Sequence, residues 1–139
     1  MSNIGFKGAS AAALTVVLAG GLAACGETVS SGSFSGESKA VAQVISNFQS
    51  DVSSADEKSL CQKDLASNIR GGLSKGGGCQ QTIKKQLGQL DTFTLKISSI
   101  DVKGTSATAR VSSTYSGKSK MSTLDLVKEG THWRISGLS

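Results

Sequence analysis

Phe93-Thr94-Leu95-Lys96-Ile97-Ser98-Ser99-Ile100-Asp101-Val102 is the stretch in which the chain changes its period. Phe93, Leu95 and Ile97 alternate with polar neighbours, as a strand with one face on a core requires. Ile100 and Val102 fall on the opposite parity. One extra residue near Ser98-Ser99 would return both sets to the same face, so the spacing predicts a β-bulge and a bent strand. Before this stretch the apolar residues recur at helical spacing, and after it they come in short alternating runs.

Upstream, Val41, Val44, Ile45, Phe48 and Val52 form one buried stripe at i, i+3, i+4, i+7 and i+11, which predicts a helix from Ser38. A second helix, opened by Asp56, turns Leu60, Cys61, Leu65 and Ile69 inward and ends at Gly71-Gly72. A third begins near Cys79 and carries Ile83, Leu87 and Leu90 inward. Downstream, a turn at Lys103-Gly104-Thr105 leads to a strand with Ala107, Ala109, Val111, Ser113 and Tyr115 on one face. Ser116-Gly117-Lys118 and Glu129-Gly130-Thr131 then bracket a strand with Leu124 and Leu126 inward, and Trp133 and Ile135 mark the last strand. Helices first and tightly turned strands after predict an α+β domain, three N-terminal helices packed on a curved four-stranded antiparallel meander.

The order of elements, the bulged first strand and the ending Leu124-Asp125-Leu126-Val127-Lys128-Glu129-Gly130-Thr131-His132-Trp133-Arg134-Ile135 resemble nuclear transport factor two-like domains, which are cystatin-like and cone-shaped. The resemblance spans about residues 38–139. It implies a cone that in enzymes of the family (isomerases, dehydratases, cyclases) receives inward acid-base residues. The matching motif, Gly-x-x-Trp-x-Ile, is a generic hydrophobic ending that speaks for fold rather than activity.

The amino terminus carries a different message. Lys7 precedes a run of small and apolar residues from Ala9 to Leu22, a secretory leader pattern too short and too rich in Gly and Ala for a membrane span. Leu22-Ala23-Ala24-Cys25 resembles the lipobox of bacterial lipoproteins, which implies cleavage before Cys25 and lipid on its thiol. Two or three acyl chains anchor stably where one does not. The expected organisation is therefore a signal peptide over 1–24, a lipidated N-terminus and linker over 25–37, and the domain over 38–139. Residues 26–37 are mostly Gly, Ser and polar, and a coil of that length spans roughly 20 Å root-mean-square.

With 139 residues, no proline and 4% aromatics, the chain has room for one core. Losing the leader removes Lys7 and leaves fourteen Lys and Arg against ten acidic residues, scattered without an arginine-rich run. That balance favours solubility and weak attraction to an anionic membrane surface, and speaks against nucleic acid as a partner. With Cys25 taken by lipid, Cys61 and Cys79 remain as an even pair in an oxidising compartment, a disulfide or two buried thiols. Two cysteines and one distant His132 do not make a zinc set, so no metal and no cofactor is expected.

Alternation points Asp101, Asp125, His132 and Arg134 away from the cone. Tyr115 faces inward by parity, and Asp91 and Asp64 are candidates for the cone mouth, although neither has a partner that sequence can name. Gly76-Gly77-Gly78 lacks the lysine of a phosphate loop and reads as a helix connection, and Lys84-Lys85 as a solvated face. Ligand contacts, if the cone is open, would come from Phe93, Tyr115 and Trp133. If it is filled, these residues are simply core.

The leading expectation is a membrane-tethered, extracytoplasmic, non-enzymatic module that binds a small apolar ligand or an envelope protein. An isomerase or dehydratase with Asp91 or Tyr115 at the mouth is the alternative. The Thr-, Ser-, Lys- and Arg-bearing outer sheet face favours a monomer or a weak dimer.

Overall fold

The computed structural model describes residues 31–139, so Cys25 and the lipobox lie outside the described residues. After a 3-10 turn at Ser31–Ser33 come α1 (Gly36–Ser53), α2 (Glu57–Ser59), a π-turn (Leu60–Asp64), α3 (Ser67–Ser74) and α4 (Cys79–Leu87). The strands are β1 (Phe93–Lys103), β2 (Ser106–Tyr115), β3 (Lys118–Glu129) and β4 (His132–Leu138), hydrogen-bonded in that order as one antiparallel sheet. The α+β class and the four-stranded meander are as expected.

Each hairpin is closed by two residues. Ser116 and Gly117 both take positive φ (47° and 76°), the geometry that matches strand twist in a I′ turn. The bulge stands where the parity change puts it, between Ile97 and Ser99 opposite Val111 and Arg110. It keeps Ile97, Ile100 and Val102 all packed against the core. A second register shift, between Asp125 and Leu126, leaves Ser136 of β4 without a partner, and Ile135 and Leu138 on either side of it are of opposite parity yet both line the same cavity.

The helix count differs from expectation. The single helix foreseen from Asp56 to Gly71 is instead α2, the π-turn and α3. Asp56 does cap it, accepting from Ser59 N at 2.9 Å, and Leu60 and Cys61 are buried as foreseen. Leu65 then leaves the helix, because its backbone bridges Ile135 in parallel and Ala66 N donates to Ile135 O at 2.8 Å. That bridge covers the β4 edge and satisfies groups a sheet edge would otherwise leave open. Nor do Gly71-Gly72 stop α3, which continues to Ser74. Ile69 and Leu73 flank the glycines four residues apart and both pack on the core, and that packing outweighs the poor propensity of the pair.

The core lies between α1 and the concave sheet face: Val41 and Ile45 against Leu95, Ala109, Val111, Leu126, Trp133 and Ile135. Helix α1 begins at Gly36, two residues ahead of Ser38. Its Glu37 accepts from the Trp133 indole N–H at 2.6 Å and from Lys128 Nζ at 2.9 Å, which fixes the start of the helix to β3 and β4. At the other end Gln49 Oε1 accepts from Leu95 N at 2.8 Å, and Phe48 meets Phe93 edge-on at 6.1 Å.

Cys61 and Cys79 form a disulfide that ties the π-turn to α4, their Cα atoms 6.0 Å apart and 18 positions apart in sequence. Closing a loop of this length removes unfolded-state entropy worth about 3 kcal/mol. Replacing both cysteines by serine should lower the unfolding free energy by about that amount, read from full denaturant titrations of both forms, with the m-value rising as the unfolded chain loses its cross-link. An unchanged midpoint would remove the bond from the stabilising interactions.

Candidate functional site

Two concavities flank α1. The first is the cone, a cavity of about 510 Å3 between the helices and the concave sheet face. Phe48 and Val52 of α1, Ile69 of α3, Ile83 and Leu87 of α4, and Phe93, Leu95, Val111 and Leu124 of the sheet give it an almost wholly apolar wall. Ile69, Leu73 and Ile83 of the short α3 and α4 are only partly buried against the core, and space remains between them and the sheet.

Of the expected ligand contacts, Phe93 lines this cavity and Tyr115 stands at its rim, 44% exposed, beside Leu138 at 70%. The Tyr115 hydroxyl donates to Gln89 O at 3.1 Å, which closes the rim against the end of α4. Trp133 is not with them. It is buried near the start of β4, by the N-terminal end of α1, its indole N–H engaged by Glu37. Ile97 and Leu126, which alternation turns inward, pack at the core and do not line the cavity. Asp91 is exposed at a bend and lines neither concavity. Tyr115 is the only titratable residue in the cone wall among the described residues.

The second concavity, of about 580 Å3, opens between α1, the π-turn and the start of β4. Ala40, Val44 and Trp133 give it an apolar side, while Asn47, Ser50, Asp51, Asp64 and His132 give it a polar one. Asp64, a cone-mouth candidate by sequence, lies here. Its side chain is buried at 3% exposure, and no donor among the described residues reaches its Oδ2. Burial first, and then a proton shared with the neighbouring Asp51 and its charge, together push the Asp64 carboxyl up to about 7. Lys63 and Arg134 act in the opposite sense and do not prevail. Arg134 is already engaged, with Nε 3.3 Å from Glu129 and an N–H donated to Gln62 O at 2.7 Å.

Asp51 escaped the sequence reading, but a trace of it was there. It lies seven residues after Val44 and three after Phe48, on the flank of the apolar stripe, and Asp64 likewise follows Leu60 by four. Carboxylates at stripe positions on two neighbouring helical segments are the signal; their meeting depends on the π-turn, which the sequence does not announce. Asp101 and His132 are exposed, in keeping with the expected outward direction, although His132 borders the second concavity.

The sequence matches no protein-family model, and no curated protein matches it. Among solved structures, an NTF2 protein, Rd1NTF2_05 with five substitutions, superposes with a TM-score of 0.51 at 12% identity, covering 75% of this chain and 98% of its own. An NTF2-like protein of unknown function from Shewanella baltica gives 0.48 at 18% identity, over 73% of this chain and 90% of that one. A de novo designed NTF2-fold protein, NT-9, gives 0.43 at 15% identity, over 71% and 80%. The fold is therefore nuclear transport factor two-like, and at these identities the likeness concerns the fold alone.

The raised Asp64 carboxyl is a statement about stability. The folded chain holds this proton more tightly than the unfolded one, so the contribution is full below the ordinary aspartate range, near pH 4, and is lost as pH rises towards 7. Asp64→Asn, neutral and isosteric, should be more stable than the parent at about pH 8 by roughly 2 to 4 kcal/mol, and the difference should vanish near pH 4. Denaturant titrations across that range would show it. A parent whose stability is flat between these limits would contradict it.

Proposed function

We propose that the chain is a lipid-anchored extracytoplasmic lipoprotein whose cone takes up a small apolar ligand, or the apolar segment of an envelope protein, without chemical conversion. The observation that carries this reading is the cone itself: its volume falls in the usual range for ligand pockets, and its wall is aliphatic and aromatic. Exposed Leu138 and Tyr115 at the rim suit the entry of an apolar molecule. The lipobox at Leu22-Ala23-Ala24-Cys25 supports a membrane address, and the Gly/Ser-rich tether keeps the domain within reach of a bilayer from which such a ligand could partition.

The enzyme reading, with Asp91 or Tyr115 as acid or base at the mouth, draws less support. Asp91 does not line the cone, and the Tyr115 hydroxyl is committed to Gln89 O. General acid-base work needs at least one titratable group within hydrogen-bond reach of the reacting atom.

Two outcomes test the proposal. A long-chain fluorescent fatty acid should bind the chain saturably, and Ile83→Lys, which places a cation in the cone wall, should weaken it by at least about tenfold, or about 1.4 kcal/mol. Equal binding by the two, with equal unfolding midpoints, would move the ligand elsewhere. Labelled palmitate should enter the chain in bacteria, and Cys25→Ser should abolish both the label and membrane fractionation. Unchanged fractionation would end the lipoprotein reading.

A further inference from the structure

The polar groove beside α1 has no part in the apolar-ligand proposal, yet it holds a buried group that is left unsatisfied among the described residues. Asp64 is more than nine-tenths buried, lines the groove and has an oxygen that no donor among the described residues reaches. It ends a π-turn, a backbone form that is rare and concentrates at functional sites. Its neighbour across the groove is a second carboxylate, Asp51, on α1. A buried carboxylate beside a half-buried one needs a positive charge or a proton between the two.

We infer that this groove binds a small organic ammonium ion, with the ammonium group at Asp51 and Asp64 and the attached hydrocarbon against Ala40, Val44 and Trp133. Three features select this class. An ammonium has three donors on one centre, enough to serve both carboxylates at once. The apolar wall beside the acids suits an alkyl or aryl substituent, which a bare metal ion would leave unused. Among the described residues no three Asp, Glu, His or Cys side chains converge, and two carboxylates alone are a poor set for calcium or magnesium.

The other charged groups facing the pair do not replace such a ligand. Arg134 on β4 is held by Glu129 and Gln62 O, and Lys63 on the π-turn lies beyond ion-pair distance of either aspartate. His132, also on β4, is exposed at the border of the groove. Without ligand the pair keeps a proton. The ammonium takes that proton's place, so binding expels it to solvent: the ligand arrives with its charge, and one H+ leaves.

The test is calorimetry on the full chain with benzylammonium, at about pH 6 in two buffers of different ionisation enthalpy. The expected result is saturable binding with release of close to one proton per ligand, and no binding of benzyl alcohol, its neutral counterpart. Asp64→Asn and Asp51→Asn should each reduce the affinity by about tenfold or more and abolish proton release. Asp64→Asn should still fold, so loss of binding there cannot be put down to an unfolded chain. Any of four results would overturn the inference: no saturable heat with benzylammonium, equal binding of benzyl alcohol, undiminished binding by Asp64→Asn, or calcium binding at these aspartates without benzylammonium binding. Because the cone and the groove share no lining residue, either proposal can fail while the other stands.

Discussion

One extra residue in β1 shapes the rest of the molecule. Without the bulge between Ile97 and Ser99, either the Phe93-Leu95-Ile97 set or the Ile100-Val102 set would face solvent, since strand side chains alternate strictly. With it, both sets turn to the same face and the strand bends. A flat sheet would let α1 and the shorter helices lie against it along their length and fill the interface. The bent one touches α1 closely around Val41 and Ile45 and falls away towards α3 and α4, so the cone is what remains between a curved surface and straight rods.

Helix α1 then divides the interior. Its 18 residues present Val41, Ala42 and Ile45 to the core, Phe48 and Val52 to the cone, and Val44, Asn47 and Asp51 to the polar groove. Such a three-way division is available to a helix because 3.6 residues per turn distribute successive positions around the whole circumference. Both ends are held by hydrogen bonds from outside the helix, Glu37 by Trp133 and Lys128, and Gln49 by Leu95 N. The Lys128 hydrogen bond, then that of Trp133, holds the Glu37 carboxyl below the usual range, so it remains an anion and an acceptor wherever the protein is near neutral pH.

Legibility in the sequence followed the range of the forces involved. The four strands, their turns, the bulge and α1 rest on local periodicity and on glycine or serine at two-residue loops, and all could be read from Val41, Phe93 to Val102, Ser116-Gly117 and their neighbours. The segment after Asp56 could not. A continuous helix satisfies the local pattern of Leu60, Cys61, Leu65 and Ile69, and only pairing with Ile135, seventy positions further on, draws Leu65 out of it. Trp133 was misplaced for a similar reason: parity shows that it points inward, but not that it meets the start of α1 at Glu37 while the cone lies by Phe48 and Val52. Asp51 and Asp64 are thirteen residues apart and meet only because the π-turn re-aims the second of them.

That last point bears on why a costly arrangement is there at all. A core position occupied by aspartate could be filled by leucine or asparagine with a gain in stability, since each removes a group that resists ionisation at neutral pH. The Leu65–Ile135 bridge fixes the π-turn, the disulfide at Cys61 ties the same turn to α4, and α1 is held at both ends. Neither backbone can therefore relax to part the carboxylates. A fixed frame around an unsatisfied carboxylate suits a charged ligand, because little of the binding free energy is then spent on rearranging the protein. The cone differs in each of these respects. Its wall is built from α1, the shorter α3 and α4 and all four strands, it holds no unmet polar group among the described residues, and any affinity it has must come from apolar area withdrawn from water.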